Sequence, residues 1–187
     1  MTTEYTFPIL MTKRLELIQI TPDYVKDIYE LFSDPRVTKL YNLIPFQKEK
    51  EAADIIRKLH SRYEQHLGIR WGIRFKDSAE VIGSAGFNNY TEKHRANIGY
   101  DLKPKYWNAG IMTEAIRKVS EYGFRSLKIN RIEAEVMRGN ISSEKVLYKC
   151  GFKKEGLLRS WMYWNMQYWD MNMFSILKSD FISVSDI

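Results

Sequence analysis

Alternation and helical spacing of apolar residues divide this chain into strands and helices. A period of two predicts strands over residues 12–20, 69–75, 79–90, 97–102 and 131–137, with two more in the aromatic-rich remainder to about Leu177. In TKRLELIQI, for example, Leu15, Leu17 and Gln19 fall on one side. Helical spacing predicts helices over residues 21–32, 47–67, 111–127 and 143–150, the first with Thr21 as a possible cap.

The order of these elements predicts the class of fold. The segments 97–102, 111–127 and 131–137 form a strand-helix-strand unit, so the two strands are expected to be parallel with a right-handed crossover. The N-terminus of the intervening helix then lies at the carboxyl edge of the sheet, where open sheets of this kind bind ligands. We therefore expect an α/β (α+β) fold with helices on both faces of the sheet.

A single glycine, Gly110, precedes the helix in KPKYWNAGIMTEAIRKV. The first amides of a helix lack intrahelical partners and carry the positive end of its dipole, so they can bind an anion. Gly110 allows close approach of a ligand, and Asn108 tolerates a tight turn. The alternative is an ordinary helix start in which the carboxylate of Glu114 satisfies the dipole by itself.

A second motif, NISSEKVLYKCGF, follows the next strand. On its own it describes an ordinary short helix: Asn140 makes a turn, Ser142 or Ser143 caps the helix and Gly151 ends it. The two motifs, however, follow consecutive parallel strands and therefore meet at one edge of the sheet.

Composition narrows the classes of function. The 187 residues suit a single domain over 1–187, and 44% hydrophobic with 28% charged residues is typical of a globular protein. The net charge of +6 suits an anionic partner, but the basic residues are interspersed with acids, which argues against nucleic acid.

Membrane, secretory and metal-binding classes are not favoured. The uncharged stretch SWMYWNMQYW is too short to span a membrane, and the start MTTEYTFPIL lacks the apolar region of a signal peptide, so we expect a cytoplasmic protein. Cys150 is the only cysteine, which excludes an internal disulfide. His60, His66 and His94 are not clustered, and we predict no metal site.

Several motifs together resemble the GNAT superfamily of acetyl-CoA-dependent N-acetyltransferases, and within it the ribosomal-protein N-acetyltransferase (RimJ/RimL-like) branch. The resemblance extends from Lys13 to about Leu177 and rests on TKRLEL, IGYDLKPKYWNAGIMTEA, NRIEAEV, NISSEKVLYKCGFKKEG and YWDMNMFSIL. It implies a mixed, mostly antiparallel sheet whose parallel pair splays to bind acetyl-CoA. It also implies direct transfer of the acetyl group to a primary amine, such as a protein N-terminus.

The resemblance further implies how the coenzyme is held. The pantetheine arm would run along the backbone of Tyr100 to Leu102, and the pyrophosphate would sit on the amides of residues 108–113. The implied cofactor-binding residues are Tyr100, Leu102, Trp107, Asn108, Ala109, Gly110, Ile111, Met112, Thr113, Asn140 and Ser143. Trp107 and Met112 depart from the family's loop pattern, and Met112 must therefore point away from the ligand.

The catalytic groups are less completely matched. Ser143 would protonate the departing thiolate, whereas the tyrosine that other branches use falls at Leu147, and Tyr148 is rotated away by about 100°. The base is a glutamate in some relatives, and that position is Met162 here. Its substitutes are Glu135, Asp101, Glu92 or a water held by one of them.

Other interpretations of the same residues stay open. The acceptor could instead be a small amine such as a polyamine or an amino sugar, or the domain could bind CoA for regulation without catalysis. The run WMYWNMQYW suits an acceptor cleft, a core or a homodimer surface.

Overall fold

The computed structural model of the protein describes residues 6–185, which form an eight-stranded sheet with helices on both faces. The strands are β1 (Leu10–Met11), β2 (Leu15–Gln19), β3 (Ile69–Phe75), β4 (Gly83–Thr91), β5 (Arg95–Leu102), β6 (Arg131–Met137), β7 (Lys153–Trp164) and β8 (Gln167–Leu177). The helices are α1 (Val25–Ser33), α2 (Pro35–Thr38), α3 (Glu49–Glu64), α4 (Ile111–Arg125), α5 (Ile141–Lys149) and α6 (Lys178–Ser185).

The strands lie in the order β1-β2-β3-β4-β5-β6-β8-β7. Every neighbouring pair is antiparallel except β5 and β6, which are parallel and joined by α4. The predicted mixed sheet and its strand-helix-strand unit are therefore confirmed. No helix among residues 6–185 combines the length and the apolar character that crossing a bilayer requires.

Two hydrophobic layers sandwich the sheet, and β2 contributes to both. Leu15 and Leu17 belong to the larger cluster, on the α4 side, while Ile18 and Ile20 belong to the cluster beneath α1 and α3. The sequence predicted one apolar face for this strand, made of Leu15, Leu17 and Gln19. In the structure the strand has apolar residues on both faces. A strand covered by helices on both sides buries alternate residues in both directions.

The structure corrects several boundaries. It contains three short elements that were not predicted, β1, α2 and α6, and β4 begins at Gly83 rather than at residue 79. Thr21 does not cap α1, because its hydroxyl donates to the Asp23 carboxylate at 3.0 Å and a 3₁₀ turn, Pro22–Tyr24, precedes the helix.

The helix of the second motif also begins earlier than expected. Neither Ser142 nor Ser143 is its cap: the side-chain oxygen of Asn140 accepts a hydrogen bond from the Ser143 amide at 3.2 Å, so α5 starts at Ile141. Gly151 follows the helix with φ 88°, as predicted for a left-handed residue at a helix end.

Candidate active site

The parallel pair β5 and β6 opens into a gap. The two strands are paired only where Arg95–Asn97 lies beside Arg131–Glu133, although β5 continues to Leu102. The amide of Lys103 donates to Ile82 O on the β4 side at 2.8 Å. Since successive residues of a strand direct their backbone groups to opposite sides, those of Leu102 and Tyr100 face the gap. An extended ligand could therefore add there like an extra strand.

One of these backbone groups already has a partner. The indole Nε1 of Trp107 donates to the carbonyl oxygen of Leu102 at 2.8 Å. Trp107 therefore closes the end of β5 with its side chain, and its amide is bonded to Pro104 O at 3.1 Å. Among residues 6–185, this leaves the Leu102 amide and the backbone of Tyr100 as the free hydrogen-bonding groups of β5 that face the gap.

At the carboxyl end of β5, a loop presents a run of free amides. Asn108 and Gly110 both adopt left-handed backbone conformations, with φ of 61° and 72°. The first backbone bond of α4 is from the Glu114 amide to Gly110 O, at 3.1 Å. None of the amides of residues 108–113 donates to a protein acceptor within residues 6–185. Such a run of oriented donors at a helix N-terminus suits a phosphate group.

The neighbouring side chains leave this row of amides, which we call the amide loop, open. Ile111 and Met112 are buried in the core. Met112 therefore points away from the loop, which is the orientation that the family resemblance implies for it. Glu114 accepts from the Thr12 hydroxyl at 2.6 Å and the Arg14 amide at 2.9 Å. Burial works to raise the pKa of Glu114, but the bonds from Thr12 and Arg14 outweigh it and lower that pKa. Glu114 thus lies in the first turn of α4, as the alternative requires, but its carboxylate is engaged by the N-terminal hairpin.

A buried lysine braces the other end of the same loop. The ammonium of Lys103 lies 2.9 Å from Glu80 and 3.0 Å from Glu30, and the Tyr106 hydroxyl donates to Glu80 at 2.8 Å. Burial works to raise the pKa of Glu80, but hydrogen bonds from Lys103, Lys105 and Tyr106 hold it at about 2. The loop is thus tied to α1 and to the segment between β3 and β4.

Across the gap, two hydroxyl groups meet. The phenol oxygen of Tyr100 lies 2.6 Å from Ser143 Oγ, in the first turn of α5. Burial raises the pKa of Tyr100, so its phenol keeps its proton at neutral pH. Tyr148, by contrast, is half exposed, with its ring 5.3 Å from that of Phe174. Leu147 is buried, so Ser143 is the hydroxyl that α5 offers to the gap.

The opposite face of the sheet carries an open cleft of about 560 Å³. Its lining is mostly polar, with the amides of Asn42, Asn88, Asn89 and Asn97 and the carboxylates of Glu133 and Glu135. Tyr41 and Trp161 contribute aromatic walls, and Met162 lies beside them. Trp161 and Met162, the first two residues of the WMYWNMQYW run, therefore line this cleft.

The three carboxylates proposed as bases differ in their surroundings. Asp101 is buried in an ion pair with Arg70 and also accepts from the Ser84 amide and hydroxyl, each at 2.9 Å. Burial raises the pKa of Asp101, and the charge of Arg70 opposes that shift. Glu92 is exposed in the turn before β5, at the paired end of the strand. Glu135 faces the cleft, and its carboxylate makes no hydrogen bond or ion pair within residues 6–185.

A splayed parallel strand pair with an amide loop at its end defines a class of protein, the transferases that take an acyl group from coenzyme A. Residues 14–153 match the family model described as an acetyltransferase (GNAT) domain. The chain therefore belongs to the GNAT acetyltransferase family, and it is an N-acetyltransferase with acetyl-CoA as its co-substrate.

Individual relatives agree with this assignment. YoaA of Bacillus subtilis (strain 168), an uncharacterized N-acetyltransferase, is 43% identical over 173 residues, covering 92% of this chain and 98% of its own length. The ribosomal protein uS5-alanine N-acetyltransferase of Escherichia coli (strain K12) is 29% identical over 120 residues, covering 63% and 62%. The microcin C7 self-immunity acetyltransferase MccE, solved with acetyl-CoA and AMP, has the same fold, with a TM-score of 0.79 at 24% identity over 89% of this chain and 93% of its own.

Proposed function

We propose that the protein transfers the acetyl group of acetyl-CoA to the α-amine of a peptide or protein N-terminus. The observation that carries the choice of acceptor is the cleft, where the unpaired carboxylate of Glu135 lies among amide side chains. Side-chain amides both donate and accept hydrogen bonds, as a peptide backbone requires. The uS5-alanine N-acetyltransferase among the relatives supports the same class of acceptor.

The chemistry of a carboxylate base also favours an α-amine. A carboxylate is a weak base, and an α-amine has an ordinary pKa of about 8, against about 10.4 for a lysine-type amine. Deprotonation of the α-amine is therefore easier by about 3 kcal/mol. Glu135 could remove that proton directly or through a water molecule. The amine of a polyamine has a higher pKa, so the same carboxylate would deprotonate it less readily.

The remaining residues have separate tasks. The amide loop holds the phosphates, and the backbone of Tyr100 holds the pantetheine arm. The bound coenzyme supplies an acetyl thioester. The Leu102 amide, which faces the gap, polarises the thioester carbonyl. As the amine nitrogen bonds to the acetyl carbon and the carbon–sulfur bond breaks, Ser143 donates its proton to the thiolate and regains one from solvent, which takes up the second proton that the amine loses. The Tyr100 phenol keeps its own proton and holds the Ser143 oxygen by a hydrogen bond. Asn140 positions Ser143 through the helix cap.

Direct transfer, without an acetylated cysteine, is supported by the environment of Cys150. Its thiol is buried and lies 3.5 Å from the Thr113 carbonyl oxygen. Burial raises the pKa of this thiol to about 12, so it is not a nucleophile at neutral pH. The amine is thus left to attack the thioester itself.

The proposal is tested by release of free thiol from acetyl-CoA across matched acceptors. The panel contains peptides with free N-termini, the same peptides with blocked N-termini, polyamines and amino sugars. We expect turnover with the free peptides and little with the others. Turnover only with polyamines or amino sugars would show that the acceptor is a small amine and not a peptide N-terminus. CoA binding without any turnover would favour a regulatory domain.

A further inference from the structure

The side chain of Arg14 lies against the amide loop, although it belongs to the N-terminal hairpin of β1 and β2. Its Nε donates to the Glu114 carboxylate at 2.7 Å, and its Nη1 donates to the carbonyl oxygen of Ala109 at 3.0 Å. Its Nη2 has no hydrogen-bond acceptor within residues 6–185, and it lies 3.7 Å from where a Cβ on Gly110 would stand. One nitrogen of a fixed guanidinium is therefore free beside the glycine of the loop.

The partner of Arg14 matters for an anion site. A carboxylate in the first turn of a helix would repel a phosphate bound at that N-terminus. The Glu114 carboxylate is instead held by Thr12 and Arg14 on the hairpin side, and the guanidinium offsets its charge. Glu114 thereby also fixes the plane of the guanidinium, which reduces the entropy lost when Nη2 makes a further bond.

We propose that Arg14 binds the coenzyme directly, by donating hydrogen bonds from Nη2 to a phosphate oxygen next to the amide loop. This inference rests on the proposed role of the loop in holding the phosphates. A guanidinium presents donors in the geometry that phosphate oxygens accept, and charged hydrogen bonds of this kind are strong. The side chain is 42% exposed, so a ligand can reach it from solvent. The phosphoryl group could be the pyrophosphate or the 3′-phosphate of the coenzyme.

Calorimetric titration of the full chain with CoA tests this role. Arg14→Ala is expected to raise Kd about tenfold, the effect of losing one charged hydrogen bond. Arg14→Lys should recover only part of the affinity, since an ammonium cannot bond Glu114, Ala109 and a phosphate together. The matched control is Arg125→Ala, which removes another arginine that is paired with a glutamate of α4, Glu121, at the far end of the helix. It should leave Kd unchanged.

Two further titrations distinguish direct contact between Arg14 and the coenzyme from a purely structural role of Arg14 in holding the loop. Titration with 3′-dephospho-CoA identifies the phosphate: equal losses for both ligands assign the pyrophosphate, and a loss confined to CoA assigns the 3′-phosphate. Glu114→Gln keeps an oxygen for Thr12 and removes a negative charge near the phosphate, but it also loosens the guanidinium. These effects oppose each other, so any loss of CoA affinity should be smaller than in Arg14→Ala. A Kd for Arg14→Ala within twofold of wild type would overturn the inference, and so would a loss in Glu114→Gln as large as in Arg14→Ala. A wild-type protein that fails to bind CoA would instead overturn the role of the loop.

Discussion

The hydroxyl oxygens of Tyr100 and Ser143 lie 2.6 Å apart, although 43 positions separate the two residues in the chain. Tyr100 comes from β5 and Ser143 from α5, so the contact bridges the opening between β5 and the segment that follows β6. On the opposite face of the sheet, Glu135 lines the polar cleft. The proposed acid and base thus approach the gap from opposite sides, which is the arrangement that direct transfer between two ligands requires.

Removal of either hydroxyl should slow the chemical step. For Ser143→Ala we expect kcat to fall about 100-fold, because a positioned general acid is lost. Tyr100→Phe should reduce kcat by a smaller factor, since Ser143 keeps its own proton. Steady-state kinetics measures both, and the double variant should lose little more than Ser143→Ala because the pair acts as a unit.

The neighbouring serine provides the control for this pair. Ser142 is exposed in the same turn of α5, and Ser142→Ala should keep kcat and Kd for CoA within about twofold of wild type. Equal losses in the Ser142 and Ser143 variants would show that the first turn of α5, rather than the hydroxyl pair, limits the rate.

Glu135→Gln should abolish most of the activity at neutral pH. The amide keeps the size of the side chain but cannot accept a proton, so we expect kcat/KM to fall about 100-fold. The loss should shrink as pH rises through the ordinary pKa of an α-amine, about 8, because the acceptor is then already neutral. A pH profile of kcat/KM measures this, and a constant ratio of variant to wild type at all pH values would contradict it.

Asp101→Asn tests whether the other carboxylate near the gap, Asp101, has a structural or a catalytic role. Because Asp101 is the buried partner of Arg70, its neutralisation should lower the free energy of unfolding by about 3–5 kcal/mol. Denaturant unfolding measures that loss. If the variant were as stable as wild type but inactive, Asp101 rather than Glu135 would be the base.

The decrease in the free energy of unfolding at acidic pH should depend on Glu80. Its pKa is depressed to about 2 in the folded chain, against an ordinary value of 4.5. Its contribution is therefore present above pH 4.5 and is lost as pH falls towards 2. Glu80→Gln should flatten the fall in unfolding free energy over that window, as measured by denaturant unfolding at several pH values. Glu64→Gln, at an exposed position in the last turn of α3, should keep the wild-type profile.

Gly110 permits a test of the amide loop with two isosteric variants. Gly110→Asp and Gly110→Asn impose the same side-chain size on the left-handed backbone, but only aspartate places a negative charge beside the free amides. We expect Kd for CoA to be at least tenfold higher in the aspartate variant than in the asparagine variant. Equal affinities would show that no phosphate lies at this turn.

The sequence predicted those features that depend on local pattern. The parallel pair, the left-handed residue at Gly151, and the strand over Arg131–Met137 follow from periodicity and from the conformational freedom of glycine. The burial of Met112 is explained in the same way, because an apolar side chain at the start of a buried helix packs into the core and away from the amide loop.

The contacts that complete the site could not be predicted in this way. Arg14 and Glu114 are 100 positions apart, and no local pattern in TKRLEL indicates that its arginine reaches a helix start so distant in the chain. No local pattern predicts that the side chain of Tyr100 meets Ser143, which lies 43 positions further along the chain. Asn140 proved to be the cap of α5 because its side chain competes successfully with the two serines that follow it.

The proposed acceptor, the α-amine of a peptide or protein N-terminus, is tested most directly with a single peptide. The peptide carries a free α-amine and an internal lysine, so both amines meet the same enzyme at the same concentration. After incubation with acetyl-CoA, fragmentation by mass spectrometry locates the acetyl group. We predict acetylation of the α-amine, with the lysine unmodified. Acetylation of the lysine in preference to the α-amine, or no acetylated peptide at all, would contradict the proposed function.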